Sequence, residues 1–196
     1  NQYQRCESYF SNSELSSEIL ASNREYDLAK LLNINLDKLQ PKEKLPSSKT
    51  PEDMRNNLIE AKKIFDYLGW KVKDNILHDD EDNKVVFDFL LAQKGFERIL
   101  APFAVNLKKL GIVLKYRTID LSLYQRRVDT FDYDMMVMSY PQSQSPGNEL
   151  LNMFHSSSAG KKGSFNLAGI DDPDVDKLLL RIIYSNDRKE MVDAAH

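Results

Sequence analysis

Apolar residues recur at helical spacing in the middle of the chain. Between Pro51 and Leu68 they return every three or four positions, which predicts one long helix with a single apolar stripe. Thr50 stands where an N-cap is expected, and Asp53 stands where a capping box places its acid. Gly69 directly follows the stripe and predicts the end of the helix, because glycine adopts the left-handed conformation that ends many helices.

Two further stripes of the same kind lie later in the chain. One runs from Phe96 to Leu110 and contains Pro102, which removes a helical hydrogen bond and predicts a kink. The other begins at Asp172 as a cap, with Pro173 in the first helical position. Shorter helices are predicted for "REYDLAKLL", "LSLYQRRVD", "NELLNMFH" and "SNDRKEMVDAAH". The last of these is expected to start from Ser185 or Asn186, and it stops in mid-pattern, which predicts that the chain is part of a longer protein.

Strand patterns alternate with these helices. The stretch "WKVKDNILHDDEDNKVVFDFLLA" predicts a hairpin that turns at "DDEDN" and has an almost continuously apolar second strand. "IVLKYRTI" and the apolar run Met135–Tyr140 predict two more strands. Strand, helix, strand, helix and strand at these lengths predict parallel strands joined by right-handed crossovers. The predicted fold class is therefore α/β, built in layers.

Composition excludes several classes of protein. The chain has 196 residues, of which 41% are hydrophobic and 29% are charged, as is typical of globular domains. The net charge is -3 and there is no basic stripe, which argues against nucleic acid and anionic membrane surfaces as partners. Cys6 is the single cysteine, so an internal disulfide is excluded, and the usual burial of cysteine favours an inert role.

Three polar clusters suggest chemistry, but each has a simpler interpretation. The acidic run Asp79–Asp82 beside His78 lacks the glycine and the twelfth-position acid of a helix–loop–helix calcium site, and it predicts a solvated turn. His155 stands beside three serines without a strained nucleophile turn. The "SSSAGKKGS" stretch lacks the spacing of a phosphate loop. The sequence therefore predicts no catalytic residue, no metal site and no cofactor.

The loop after Tyr140 is the remaining candidate for a binding site. Ligands of open α/β sheets collect beyond the carboxyl ends of the strands, and this loop leaves such an end. It is rich in neutral donors and acceptors, which suit a partner with many backbone-like polar groups. These residues are Gln142, Ser143, Gln144, Ser145 and Asn148. Composition alone slightly favours a plain solvated connection, so both interpretations stay open at this point.

The order of the motifs resembles a known family. "RNNLIEAKKIFDYLGW", an acidic turn and "VVFDFLL" resemble the helix and hairpin of the family 5 extracellular solute-binding proteins, the peptide receptors of ABC importers. "FERILAPFAVNLKKLGIVLKYRTIDLSLYQRRVDTFDYDMMV" resembles the unit that follows, and "FNLAGIDDPDVDKLL" resembles their late signature. "SYPQSQSPGNE" and "SYFSNSELSS" are most similar to the branch that includes microcin C and YejA-type oligopeptide receptors. The resemblance covers residues 50–196 well.

The resemblance implies a two-lobed receptor that closes on an extended peptide in the periplasm. Residues 50–196 would form a periplasmic-binding-protein-like (type II) lobe with a mixed sheet flanked by helices, and residues 1–49 an irregular lead-in between lobes. The receptor would be a monomer that delivers oligopeptides or peptide conjugates to an ABC permease in the inner membrane. It would not be an enzyme. The alternative is one lobe of an α/β enzyme whose catalytic residues lie outside this chain.

The resemblance also places the peptide contacts. They are expected at Ser139, Tyr140, Gln142 and Asn148, with Tyr9 and Phe10 as further contacts. In the general oligopeptide receptors of this family, an aspartate directly before the aromatic residue of this loop pairs with the amino terminus of the peptide. Ser139 occupies the equivalent position here, so that salt bridge is not available from this position.

Overall fold

The computed structural model describes residues 6, 8–17, 21–36, 45–141 and 143–196. The chain divides into two compact units, the first formed by residues 1–43 with 139–196 and the second by residues 44–138. The predicted boundary between a lead-in at 1–49 and a lobe at 50–196 stays a prediction. Within the described residues, every helix is too short or too polar to cross a bilayer.

Seven helices and five strands are defined within the described residues. In chain order they are α1 (Asn23–Leu31), α2 (Pro51–Tyr67), β1 (Lys71–Lys73), β2 (Ile76–His78), β3 (Val86–Leu91), α3 (Glu97–Lys108), β4 (Val113–Thr118), α4 (Leu121–Asp129), β5 (Met135–Met136), α5 (Glu149–Phe154), α6 (Pro173–Ile183) and α7 (Arg188–Ala195).

The helix ends follow the capping residues in the sequence. Thr50 and Asp53 form the predicted reciprocal capping box of α2, and Gly69 beyond its end has a φ of 79°. Asp172 caps α6 by accepting a hydrogen bond from the backbone N–H of Asp174. The prediction for α7 was wrong, because Asp187 is its cap and accepts from the N–H of Glu190.

The second unit is built on a parallel sheet with the strand order β4, β3, β5. Phe89 in the central strand lies opposite Tyr116 on one side and Met135 on the other. On one face of the sheet, Phe89 and Leu91 pack with Leu100 of α3 in a buried cluster. The parallel pairing confirms the α/β prediction, and the antiparallel hairpin of β1 and β2 forms a separate sheet.

The predicted hairpin contains two turns instead of one. Its strands β1 and β2 meet at Asp74 and Asn75, which both have positive φ values of 51° and 63°. These angles match a tight two-residue hairpin turn, for which Asn and Asp are among the preferred residues. The acidic run at Asp79 forms a later turn, in which the Asp79 carboxylate accepts hydrogen bonds from the backbone of Glu81 and Asn83. Across this turn His78 and Lys84 form an antiparallel bridge, so the predicted turn is present. β3, expected as the second hairpin strand, pairs in the parallel sheet.

The last strand is shorter than its apolar run predicts. β5 covers only Met135–Met136, and the following Val137 and Met138 are 45% and 41% exposed. Pairing with β3 reaches only Phe89 and Leu90, so the chain leaves the sheet after two residues. The prediction of a strand along the whole of Met135–Tyr140 is therefore wrong.

The first unit has a helical core. Six buried side chains form it: Phe10, Leu15, Leu150, Leu179, Ile182 and Ala194. They come from the segment before α1 and from α5, α6 and α7. Cys6, which was expected to be buried, is exposed.

Candidate functional site

Three aromatic rings from distant parts of the chain meet in the first unit. The ring centroids of Tyr140 and Phe154 are 5.8 Å apart, and Tyr9 lies 6.3 Å from Tyr140 and 5.0 Å from Phe154. Such distances allow edge-to-face packing, which stabilises aromatic pairs beyond the burial of their area. We refer to Tyr9, Tyr140 and Phe154 as the aromatic cluster. Two of its three members are residues that the sequence predicted as peptide contacts.

Tyr140 is held by the loop of the late signature. Its hydroxyl group donates a hydrogen bond to the backbone carbonyl of Phe165 at 3.3 Å. Burial raises the pKa of Tyr140, and a hydrogen bond from the Leu167 backbone partly opposes that rise. The phenol therefore stays neutral at physiological pH. The ring is held at its hydroxyl group by the hydrogen bond to Phe165 as well as by its covalent link to the backbone.

Asn166 explains why this loop can hold a ring in place. Its side chain is fully buried and makes three hydrogen bonds to the backbone. The amide nitrogen donates to the carbonyl groups of His155 at 3.2 Å and Ile170 at 2.8 Å. The amide oxygen accepts from the N–H of Ile170 at 2.8 Å. Asn166 thus clamps both ends of the loop on which Tyr140 rests.

Tyr9 is oriented from both of its ends. Its hydroxyl group donates to the sulfur of Met153 at 3.7 Å, and the ring of Phe10 lies edge-on at 4.8 Å. The pKa of Tyr9 is raised, first by burial and then by the nearby Tyr140 and Glu149. Phe10 itself is only 7% exposed and belongs to the core of the unit. Its ring supports Tyr9 and offers little surface to a ligand.

The other predicted contacts lie on exposed backbone near the cluster in sequence. Ser139 directly precedes Tyr140 and is exposed. Asn148 is exposed at the start of α5, where its side chain makes no capping hydrogen bond. Gln142 lies outside the described residues. For Ser139, Gln142 and Asn148, peptide contact stays a prediction.

Sequence reasoning missed residues that α5 contributes. Phe154 completes the aromatic cluster, Met153 accepts the hydrogen bond from Tyr9, and Glu149 opens the helix. The pattern "NELLNMFH" predicts the helix but not the face on which each residue lies. The sequence spacing could have indicated part of this arrangement. Residues four positions apart lie on the same face of a helix, and Glu149 and Met153 are four positions apart.

The second unit has a cavity of its own beside β3 and β4. Its volume is about 420 Å³, and the polar groups in its lining include Asp88, Lys115, Arg117 and Arg127. Arg127 donates to the carboxylates of Asp88 at 2.6 Å and Asp132 at 2.9 Å. This pairing raises the pKa of Arg127 and joins α4 to the sheet. Among the described residues, no group of three or more His, Cys, Asp or Glu side chains is arranged to hold a metal ion.

Comparison with known proteins decides the family. Residues 33–162 match the family described as bacterial extracellular solute-binding proteins, family 5 middle. The chain belongs to this family. The match includes α2, both sheets, Tyr140 and all of α5, so it spans the whole second unit and two of the three residues of the aromatic cluster.

Two relatives match almost the whole of this chain. The probable peptide-binding protein YejA of Agrobacterium fabrum is 35% identical over 200 residues, which cover 99% of this chain and 32% of that protein. The protein y4wM of Sinorhizobium fredii is 39% identical over 202 residues, covering 99% of this chain and 30% of that protein. The chain therefore spans about a third of the length of these relatives.

A solved structure confirms the fold class. The oligopeptide-binding protein AppA of Bacillus subtilis, in complex with a nonapeptide, matches with a TM-score of 0.60 and 27% identity. The match covers 92% of this chain and 36% of that chain. The family consists of solute-binding proteins and not enzymes, and YejA and AppA are described as peptide-binding proteins, in agreement with the sequence prediction.

Proposed function

We propose that this family 5 chain is part of the substrate-binding component of an ABC importer that carries oligopeptides or peptide conjugates. It would provide one wall of a cleft that closes on the ligand, and the rest of the cleft would come from parts of the receptor outside this chain. The aromatic cluster is the observation that carries the proposal. Three rings gathered from distant segments, with exposed polar residues beside them in sequence, suit a ligand with alternating apolar and amide groups.

The relatives support a peptide as the ligand. YejA of Agrobacterium fabrum is described as a probable peptide-binding protein, and AppA is bound to a nonapeptide. The receptor would work in the periplasm as a monomer and deliver its ligand to a permease in the inner membrane. The extracellular character of the family supports that location.

The residues of the site would make different kinds of contact with the peptide. Tyr140 and Tyr9 would pack against apolar parts of the peptide, and their hydroxyl groups are already held by protein acceptors. Ser139, Gln142 and Asn148 would hydrogen-bond to amide groups of the peptide. Phe10 would act from the core by fixing the ring of Tyr9. The two lobes would then close over the ligand and exclude water.

The test is peptide binding by the full-length receptor and its Tyr140→Ala variant, measured by isothermal titration calorimetry. Synthetic alanine peptides of about three to nine residues provide the ligands. We expect the parent to bind and the variant to bind about tenfold or more weakly, because truncating a central aromatic contact commonly costs that much.

Tyr184→Ala is the matched control. Tyr184 lies in the same unit, is 70% exposed and does not belong to the aromatic cluster. Thermal unfolding of both variants separates a loss of binding from a loss of folding. Equal affinity in the two folded variants would show that Tyr140 does not contact the peptide, and a parent that binds no peptide would refute the proposed function.

A further inference from the structure

One carboxylate borders the aromatic cluster without a cationic partner among the described residues. Glu149 is the first residue of α5, and Met153 stands four positions later on the same face of the helix. Met153 accepts the hydrogen bond from the Tyr9 hydroxyl group, and Phe154 packs against the Tyr9 ring. The Glu149 side chain is therefore placed one helical turn from the Tyr9 contact, and it is exposed.

The charge of Glu149 acts on the cluster. The carboxylate contributes to the raised pKa of Tyr9, as a negative charge near a phenol does because it disfavours the phenolate. Its carboxylate accepts a hydrogen bond from the backbone N–H of Gly147 at 2.8 Å. This bond orients the carboxylate, and its donor is a neutral group.

A basic residue that holds the same loop is already engaged. Arg188 of α7 donates to the Glu14 carboxylate at 2.6 Å and to the backbone carbonyl of Gln144. Within the described part of the chain, the ion pairs of this unit leave Glu149 out. The negative charge near Tyr9 is thus available to a ligand.

We propose that Glu149 determines specificity by binding a positively charged amine of the peptide ligand beside the aromatic rings. A carboxylate next to aromatic faces is the environment that an alkylammonium group prefers, because it gains a charge-assisted hydrogen bond and a cation–π contact together. Two peptide groups have this chemistry, the free amino terminus and a lysine side chain. The inference rests on the proposed peptide-binding function and deepens it.

Glu149→Gln separates this role from a structural one. Glutamine keeps an oxygen that accepts the hydrogen bond from Gly147, so the start of α5 is retained while the charge is lost. Calorimetry on the full-length receptor would use three forms of one alanine peptide: free amino terminus, acetylated terminus, and acetylated terminus with one lysine. Glu52→Gln is the control, since Glu52 also lies in the first turn of a helix but belongs to the other unit.

We expect Glu149→Gln to weaken binding of a charged peptide about tenfold and to leave the acetylated alanine peptide within about twofold. A selective loss for the free terminus identifies the terminal amine as the partner, and a selective loss for the lysine peptide identifies a side-chain subsite. The difference in affinity between the parent and Glu149→Gln for a charged peptide should also shrink as salt is added, because screening weakens the charge contact in the parent. Glu52→Gln should change none of these values.

Two outcomes would overturn the inference, and they are distinguishable. If the parent binds the peptides and Glu149→Gln weakens all three forms equally or none of them, Glu149 does not recognise charge while the proposed function stands. If the parent binds none of the three forms, the peptide-binding function fails and the inference fails with it.

Discussion

Replacing Asn166 with alanine should loosen the loop that supports Tyr140. The substitution removes three hydrogen bonds between one fully buried side chain and the backbone at His155 and Ile170. The His155 carbonyl keeps a second donor, the N–H of Ser158, so its loss is small. Within the described residues, the N–H and the carbonyl of Ile170 have hydrogen bonds only to Asn166. The expected cost in the free energy of local opening is about 2 to 3 kcal/mol.

Hydrogen–deuterium exchange of the full-length protein measures this cost where it arises. In peptides that cover residues 155–172, the Ile170 amide should exchange between roughly 30-fold and 150-fold faster in Asn166→Ala than in the parent. Peptides from α2 should exchange as before and serve as the internal control. Because Tyr140 rests on this loop, affinity for peptides should fall as well.

Asn166→Asp tests the same reasoning by its pH dependence. The remaining carboxylate oxygen can still accept from Ile170, but the new one faces two carbonyl oxygens in a buried site. Burial raises the pKa of such a carboxyl group above its unfolded value. The variant is therefore least stable above the folded pKa, and its stability recovers as pH falls through the folded pKa and is complete below the unfolded pKa. The role given to Asn166 would be refuted if the Ile170 amide of Asn166→Ala exchanged within about threefold of its rate in the parent. It would also be refuted if the stability of Asn166→Asp did not recover in acid.

Two further predictions concern the second unit. Gly111→Ala should lower the free energy of unfolding by about 2 kcal/mol or more. Gly111 has a φ of 82°, and an added Cβ would lie 2.8 Å from the backbone nitrogen of Leu77. Gly95→Ala, whose Cβ meets nothing within 4 Å, should be near neutral in the same thermal unfolding experiment, and equal melting temperatures for the two variants would contradict the argument. Hydrogen bonds, first from the Ser47 hydroxyl and then from the Thr50 backbone, lower the pKa of Asp53 below its ordinary 3.8. The capping box should therefore persist above pH 3.8 and be lost as pH falls through the lower folded pKa, with weaker protection of the amides at the start of α2 relative to their intrinsic exchange rates. Asp53→Asn should abolish that pH dependence of the protection, and pH-independent protection in the parent would refute it.

The signals that predicted the fold were local ones. Thr50 with Asp53, and Asp172 with Pro173, set the starts of α2 and α6 through hydrogen bonds and backbone angles that involve only neighbouring residues. The alternation of strands and helices then restricted the second unit to a parallel sheet. Ser139 and Tyr140 were identified through family resemblance, which carries information that periodicity does not.

The hairpin shows where local signals compete. Asp74–Asn75 and the acidic run after His78 both form turns, with a two-stranded ladder across the first and a single antiparallel bridge across the second. Met135–Tyr140 is apolar enough for a full strand, yet its pairing with β3 stops after two residues. How far a strand pairs therefore depends on a partner that is distant along the chain.

The sequence by itself therefore determined the helices, the caps of α2 and α6, the parallel α/β class and the family of this protein. Only the tertiary structure decided that Tyr9 meets Phe154 and Tyr140, that Asn166 clamps the loop beneath Tyr140, and that Glu149 lies near Tyr9. The reason is physical. Caps and turns are set by atoms a few residues apart, whereas Tyr9 and Met153 are 144 positions apart and meet only when burial of the shared core brings their segments together.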